Sequence, residues 1–277
     1  MTVAPVFGIV QGRLTPSPPG CLQWFPQERW ENEFSLAGTL GISYIELIAE
    51  VQHNPDNPLW SDDGVAKINA LVAENGLTRH ALCNDFVVEN SLIADPAVLQ
   101  QNKSLIERGH LLKMEKYVLP LFDASEMTAE NTRDFLGPVG EIADEAHKAG
   151  MITCLETVLS GPELCDFLNA LDRSYVQAVY DTGNRAAFGL DLADDIRELG
   201  DRICHVHIKD KNKDNQNVLL GTGLVNFSDV FDAFRDIGYD GPYTFESQRG
   251  PDPVRTAQHN INFVTFFIEN ARSSIAL

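Results

Sequence analysis

Short apolar segments alternate with longer amphipathic segments eight times along this chain, and this alternation limits the fold more than any other feature. The predicted strands span 6–10, 44–48, 78–83, 116–121, 151–155, 176–180, 203–208 and 243–245. The predicted helices span 27–40, 61–75, 95–113, 128–149, 162–171, 191–199, 226–237 and 253–271, with a bend or break where Gly137-Pro138 interrupts the fourth of them. Alternating strands and helices indicate a parallel sheet with helical crossovers.

Eight such units over about 250 residues are typical of a closed (β/α)8 TIM barrel. The rival fold is an open doubly wound sheet, but no Gly-rich phosphate-binding turn follows the first strand. No linker or change of composition divides the 277 residues. We therefore predict a single domain that occupies residues 1–277.

The overall charge excludes some classes of partner. The chain has 40 Asp and Glu against 21 Lys and Arg, a net charge of -19, which repels nucleic acid backbones. No apolar run is long enough to span a membrane, and the N-terminus lacks a secretory signal pattern. The five cysteines are dispersed without a Cys-x-x-Cys pair, which favours reduced thiols in the cytoplasm. We expect a cytoplasmic protein with no nucleic acid or membrane partner.

Four acidic or basic residues stand at or just after the ends of four successive predicted strands. They are Glu156, Asp181, His207 and Glu246. Taken singly, each has an ordinary explanation: Asp181 could cap the next helix, and His207 could be a hydrogen-bonded core histidine. In a barrel, however, the C-terminal ends of the strands converge on one place. Carboxylates brought together repel one another, and a divalent cation removes that cost.

Further polar residues are expected near the same end of the barrel. In the seventh strand, His205, His207 and Lys209 share one face because strand side chains alternate. His205 lies deeper and is expected to support the site, while Lys209 lies at the rim, where it would meet a substrate oxygen or anion. Glu46 needs a partner if it faces inward. Arg13 either binds substrate or ties down its own loop.

Several motifs resemble the xylose isomerase-like TIM barrels, the family of sugar phosphate isomerases and epimerases. They are Leu155-Glu156-Thr157, Tyr180-Asp181-Thr182-Gly183-Asn184, His205-Val206-His207-Ile208-Lys209-Asp210, Gly221-Thr222-Gly223 and Phe245-Glu246-Ser247. The similarity extends from Gly8 to Phe266. It implies a metal-dependent isomerase or epimerase of carbohydrate metabolism, acting on a sugar, sugar phosphate or sugar derivative.

The resemblance also implies the parts of the site. One divalent ion (Mn, Mg, Co or Zn) would be held by Glu156, Asp181, His207 and Glu246. Glu156 and Glu246 would form the catalytic acid–base pair, moving a proton through a metal-stabilised enediolate. The candidates for substrate binding are Arg13, His80, Asn184, Lys209, Lys213 and Arg249. Relatives often form dimers or tetramers, so a homo-oligomer is compatible with the sequence, although no surface stripe marks an interface.

The chain departs from the ketose epimerases of this family at three positions. Asn184 replaces a histidine, Pro162 replaces a glutamate (with Glu163 beside it), and Lys213 replaces an arginine. These changes leave the metal ligands intact and, with the extra lysines, favour an anionic or modified sugar over a free ketohexose.

Other functions stay open at this stage. A dehydratase of the keto-inositol type would use the same metal site and the same first step, and an inactive sugar-binding barrel would keep the fold alone. An endonuclease for abasic DNA also uses this barrel, but it needs several zinc ions and more histidines at the strand ends, and the acidity of the chain counts against it.

Overall fold

Eight parallel strands close into a barrel in the order in which they occur along the chain. The structure is a computed structural model that describes residues 4–273. The strands are β1 (Phe7–Val10), β2 (Tyr44–Ala49), β3 (Ala81–Asn84), β4 (Lys116–Leu121), β5 (Ile152–Thr157), β6 (Val176–Asp181), β7 (Ile203–Ile208) and β8 (Tyr243–Phe245). The predicted TIM barrel is confirmed. The extent of the single domain, 1–277, stays a prediction because its two ends lie outside the described residues.

Helices follow the strands and cover the outside of the barrel. They are α1 (Trp30–Leu40), α2 (Asp62–Glu74), α3 (Phe86–Glu89), α4 (Pro96–Leu112), α5 (Thr132–Lys148), α6 (Gly161–Leu171), α7 (Thr182–Ala187), α8 (Leu192–Leu199), α9 (Phe227–Asp236) and α10 (Pro253–Ser273). Helix α5 continues through Pro138 without a break. Its buried residues Phe135, Val139 and Ile142 pack in the core on both sides of the proline, and such packing supplies most of a helix's stability.

The third strand begins and ends later than the sequence predicts. Residues 78–80 precede β3, and the carbonyl of His80 accepts hydrogen bonds from the backbone N–H groups of Glu115 and Lys116. The predicted strand 78–83 therefore overlaps β3 at 81–83 only. Residues 78 and 80 hydrogen-bond to neighbouring segments, but the regular pairing with β4 begins at Ala81, a boundary that an apolar run does not show. The shift leaves Asn84 as the last strand residue and puts Asp85 at the C-terminal end of the barrel.

A chain of buried polar groups crosses the interior of the barrel. The Tyr44 hydroxyl lies 2.5 Å from the Thr244 hydroxyl, which lies 3.2 Å from His205 Nε2. His205 Nε2 in turn lies 2.6 Å from Glu46 Oε2. Buried polar groups need partners of this kind. Because the Tyr44 phenol fills the space above β1, a methyl group on Gly8 would lie 2.1 Å from its ring.

We expect Gly8→Ala to destabilise the protein, because the added methyl group would push Tyr44 out of this network. Overpacking of a core costs about 1–3 kcal/mol. Gly137→Ala is the matched control, since nothing lies within 4 Å of the added atom and helix α5 favours alanine. Thermal unfolding should show a lower Tm for Gly8→Ala and no loss for Gly137→Ala. An unchanged Tm for Gly8→Ala would contradict the close packing of Tyr44 on β1.

Candidate metal centre

The structure brings the four predicted ligands together. Glu156 on β5, Asp181 at the end of β6, His207 on β7 and Glu246 directly after β8 each offer one ligand atom, and these atoms lie within 4.8 Å of one another. Asp181 pairs with His207 in the register of β6 and β7. All four side chains are buried. The convergence expected at the strand ends therefore occurs.

Among the described residues, two buried atoms of this cluster have ionic neighbours but make no hydrogen bond of ordinary geometry, and both belong to the predicted ligands. They are Nδ1 of His207 and Oδ2 of Asp181. His207 Nδ1 lies 3.2 Å from Glu246 Oε2, 3.5 Å from Glu156 Oε2 and 3.9 Å from Asp181 Oδ2. Buried polar atoms without partners are costly. Three carboxylates and one imidazole around a common point are a donor set that fits a divalent cation.

Glu46 orients His207 from the interior of the barrel. Its carboxylate oxygens lie 3.1 Å from His207 Nε2 and 2.6 Å from His205 Nε2. Burial favours the neutral acid, but the two imidazoles outweigh it and hold the pKa of Glu46 well below its usual range. His207 Nε2 therefore donates its hydrogen to Glu46, which leaves Nδ1 to face the carboxylates as a ligand atom. The partner that Glu46 was expected to need is this pair of histidines.

Lys209 contacts two of the four predicted ligands. Its ammonium group lies 2.7 Å from Glu246 Oε2 and 3.0 Å from Asp181 Oδ2. Burial lowers the pKa of Lys209, but the surrounding carboxylates outweigh burial and raise it above its usual value. Gly183 makes room for the side chain, because a methyl group there would lie 2.9 Å from Lys209 Cγ. The lysine offsets part of the negative charge of the cluster.

Asn184 and Arg13 also touch the predicted ligands. The Asn184 side chain donates to Glu156 Oε1 at 2.8 Å, and its backbone N–H donates to Asp181 Oδ1 at 2.6 Å. Asp181 is therefore the N-cap of α7 as well as a member of the cluster. Arg13 Nη2 lies 3.4 Å from Glu246 Oε1, and its Nη1 donates to the carbonyl of Leu22. Arg13 therefore ties down its own loop and also contacts Glu246, and its role in binding substrate stays a prediction.

A cavity opens above the cluster, and the other three candidates for substrate binding are not among its lining residues. His80 precedes β3, where its Nδ1 lies 3.0 Å from Glu115 Oε2. Lys213 is exposed in the loop after β7. Arg249 is turned toward the loop after β1, where it donates to the carbonyl oxygens of Gly12 and Cys21. Chain position alone did not show which way these long side chains turn.

A cavity of about 400 Å³ opens above the four ligands. Its lining includes Gln23, Cys83, Asp85, Val88, Phe122, Asp123, Glu126, Phe188, Lys211 and Asn215 as well as Glu156, His207 and Glu246 of the cluster. Most of these residues follow the strands, in loops whose shape the sequence did not predict. Asp85 had a usable signal, since it is an acid directly after an apolar strand, but the misplaced end of β3 obscured it.

Comparison with known proteins adds the family. The model of the xylose isomerase-like TIM barrel matches residues 34–265. The chain belongs to this family. Over 244 residues, which are 82% of this chain and 86% of the relative, it is 26% identical to an Escherichia coli protein named L-ribulose-5-phosphate 3-epimerase UlaE. The predicted family is confirmed, and the predicted class of sugar isomerase or epimerase agrees with the name of this relative.

Solved structures show the same fold. An L-ribulose 3-epimerase superposes with a TM-score of 0.79 at 19% identity, covering 99% of this chain and 97% of the other. A D-psicose 3-epimerase from Clostridium cellulolyticum H10 superposes with a TM-score of 0.74 at 18% identity, covering 95% and 99% of the two chains. Within residues 4–273, the structure contains no helix with the length and apolar character needed to cross a bilayer.

We expect metal affinity to fall as the pH falls. In the metal-free protein, Glu46 and the neighbouring carboxylates outweigh burial and raise the pKa of His207 well above its usual value. Burial raises the pKa of Asp181 to about 6. Metal must displace the His207 proton at pH 7 and a second proton, from Asp181, below about pH 6.

Each displaced proton steepens the loss of affinity by about tenfold per pH unit. Titration calorimetry with Mn²⁺ in buffers of different ionisation enthalpy should show about one proton released at pH 7 and more at pH 5.5. Chelation should lower the Tm, because a cation bound only to the folded state stabilises it. Affinity independent of pH would contradict ligation by this cluster.

Lys209→Met should bind the cation more tightly, by about tenfold, because an ammonium group beside two ligands repels a second positive charge. Methionine keeps the unbranched apolar stem that packs on Gly183. Lys213→Met is the matched control, since Lys213 is exposed outside the cavity. Competition with a fluorescent chelator measures both variants, and equal affinities would show that Lys209 does not act on the metal centre.

Proposed function

We propose that this protein is a metal-dependent epimerase that inverts a ketose at the carbon next to its carbonyl group. The observation that carries the proposal is the convergence of Glu156 and Glu246, from strands β5 and β8, with Asp181 and His207 between them in the barrel order. The relatives named as L-ribulose-5-phosphate, L-ribulose and D-psicose 3-epimerases support the same reaction class.

Inversion of such a carbon needs one group that removes a proton and another that returns a proton from the opposite face. Glu156 and Glu246 can act as this pair. A divalent cation bound by the four ligands would supply Lewis-acid stabilisation of the negative charge that develops when the proton leaves. The remaining steps are proton transfers by the two glutamates, which the barrel holds at fixed positions on β5 and directly after β8.

The surroundings of the two glutamates differ. Burial raises the pKa of Glu246, but Lys209 and His207 outweigh it and hold that pKa well below its usual range. Glu246 is therefore ionised at neutral pH and ready to accept a proton. Glu156 accepts a hydrogen bond from the Asn184 side chain. Asn184 and Arg13 thus orient the two carboxylates, and we assign them, with Lys209, to positioning of the pair and of the sugar.

The proposed metal, location and partners are those that the sequence predicted. A single Mn, Mg, Co or Zn ion suits three carboxylates and one imidazole. Cys21, Cys83, Cys154, Cys165 and Cys204 are all free thiols, which is compatible with the cytoplasmic location proposed from their pattern. A homo-oligomer and the absence of a nucleic acid partner stay predictions.

Glu246→Gln and Glu156→Gln should each reduce proton exchange between the ketose and deuterated water by about 10²–10⁴-fold, the range for loss of a general acid or base. Glu163→Gln is the matched control, because Glu163 contacts Ser160 at the start of α6 and lies outside the site. Mass spectrometry of L-ribulose incubated with protein and Mn²⁺ measures the exchange.

Full exchange in either glutamine variant would remove that residue from the acid–base pair. A product lighter by one water would identify a dehydratase instead of an epimerase. Metal binding without any exchange, over a panel of free and phosphorylated ketoses, would leave the sugar-binding barrel as the better description.

A further inference from the structure

The carboxyl group of Asp85 lines the cavity but takes no part in the metal centre. Asp85 directly follows β3, and its backbone N–H donates to the carbonyl of Ala49 at 2.9 Å, so the barrel fixes its position. Strands β3 and β7 are four places apart in the closed ring. Asp85 therefore lies across the mouth of the barrel from His207 and Lys209.

Ordinary structural roles do not explain this carboxyl. Asp85 precedes helix α3, but its side chain makes no capping hydrogen bond. The residue is only 5% exposed, and the cation that acts on it electrostatically, Arg13, makes its ion pair with Glu246 instead. Burial, with smaller contributions from Glu246, Glu46 and Glu156, raises the pKa of Asp85 to about 7. A buried acid with no direct ion pair among the described residues costs stability, which is a common property of functional residues.

Two donors hold the Asp85 carboxyl in place. Gln23 Nε2 lies 3.2 Å from Oδ2, and the Cys83 thiol lies 3.3 Å from Oδ1. Arg13 donates to Gln23 Oε1, so the amide nitrogen of Gln23 must face Asp85. Arg13 also contacts Glu246. Each carboxylate oxygen can accept two hydrogen bonds, and each accepts one here, so acceptor capacity is left for a ligand.

The charges near Asp85 disfavour an anionic ligand group. Asp123 and Glu126, which follow β4, line the cavity on the same side. Lys209 and Lys211 line the opposite side. Lys209 is paired with Asp181 and Glu246, and the ammonium group of Lys211 donates to Asn215 at 2.8 Å. A phosphate ester placed at Asp85 would be repelled by all three carboxylates.

The loop after β7, where barrel enzymes often bind phosphate, is already filled. The backbone N–H groups of Gly221, Gly223 and Val225 all donate to the Asp210 carboxylate, at 3.0, 2.8 and 3.1 Å. Converging backbone N–H groups of this kind form an anion site, and here the protein's own side chain occupies it. The Gly221–Gly223 segment is therefore not free to bind a phosphate group.

We propose that Asp85 is a specificity residue that accepts a hydrogen bond from the terminal hydroxyl of the sugar on the side of the reacting carbon away from the carbonyl group, and that the substrate is an unphosphorylated ketose. This inference rests on the proposed epimerase function. With the reacting carbon between Glu156 and Glu246, the sugar extends across the cavity toward β3, where its last hydroxyl meets Asp85. The preference would separate this protein from its relative named for L-ribulose 5-phosphate. It also replaces the expectation of an anionic sugar that the lysines of the sequence favoured.

The test compares three sugars with the Mn²⁺-loaded protein: L-ribulose, 5-deoxy-L-ribulose and L-ribulose 5-phosphate. Deuterium uptake gives kcat and KM for each. The wild-type protein should prefer L-ribulose to both of the others. Asp85→Ala should lose about 10- to 100-fold in kcat/KM with L-ribulose, mainly through KM, as expected for a hydrogen bond to a charged group. With the 5-deoxy sugar, the kcat/KM of Asp85→Ala should differ from the wild-type value by less than about threefold, because the hydroxyl is already absent.

Two further variants separate charge from structure. Asp85→Asn keeps the shape but removes the charge, so it should raise the activity with L-ribulose 5-phosphate relative to L-ribulose. Glu89→Ala is the matched control, because Glu89 lies on α3, the short helix that follows Asp85, but is exposed and outside the cavity. Glu89→Ala should rank the three sugars by kcat/KM in the same order as the wild-type protein.

Two results would overturn the assignment of Asp85 while the epimerase function stood. One is an equal loss with L-ribulose and its 5-deoxy form in Asp85→Ala, which would show a structural role. The other is faster exchange of L-ribulose 5-phosphate than of L-ribulose by the wild-type protein. Absence of deuterium uptake from all three sugars would instead count against the proposed function and would take this inference with it.

Discussion

Repulsion among buried carboxylates is the constraint on which the rest of this structure depends. Glu156, Asp181 and Glu246 share one space with His207 at the end of the barrel. In a medium of low polarity such groups cannot all be ionised unless positive charge lies beside them. Lys209 supplies part of that charge through contacts with two of the three acids. The cluster is therefore a place where a divalent cation is favoured, and the chemistry we propose follows from that preference.

The interior of the barrel supports this cluster from below. Glu46 contacts both histidines of β7, and His205 continues the chain of polar contacts to Thr244 and Tyr44. Each group in this chain limits the orientation of the next, so the ring of His207 is fixed before any ligand arrives. Pre-organised donors lower the cost of binding, because little has to be reordered when the cation or the sugar enters.

Much of the fold could be predicted because strand and helix periods are local properties of the chain. Strand β7 (Ile203–Ile208) and strand β8 (Tyr243–Phe245) agree with prediction to the residue. The error at β3 has a physical cause: its pairing starts only where neighbouring strands provide partners, which no local pattern reveals. The same error hid Asp85, because β3 ends one residue later than predicted, at Asn84, and this puts Asp85 directly after the strand.

By itself, the sequence determined the eight-fold alternation, the closed barrel and the set of acids and histidine at four successive strand ends. These features depend on side-chain period and on a barrel geometry that all such chains share. Only the tertiary structure decided that Lys209 pairs with two of the predicted ligands, that Arg249 turns away to hold a loop, and that Asp85 lines the cavity above the cluster. Long side chains and loops take their directions from neighbours that are distant along the chain, and those neighbours meet only when the barrel closes.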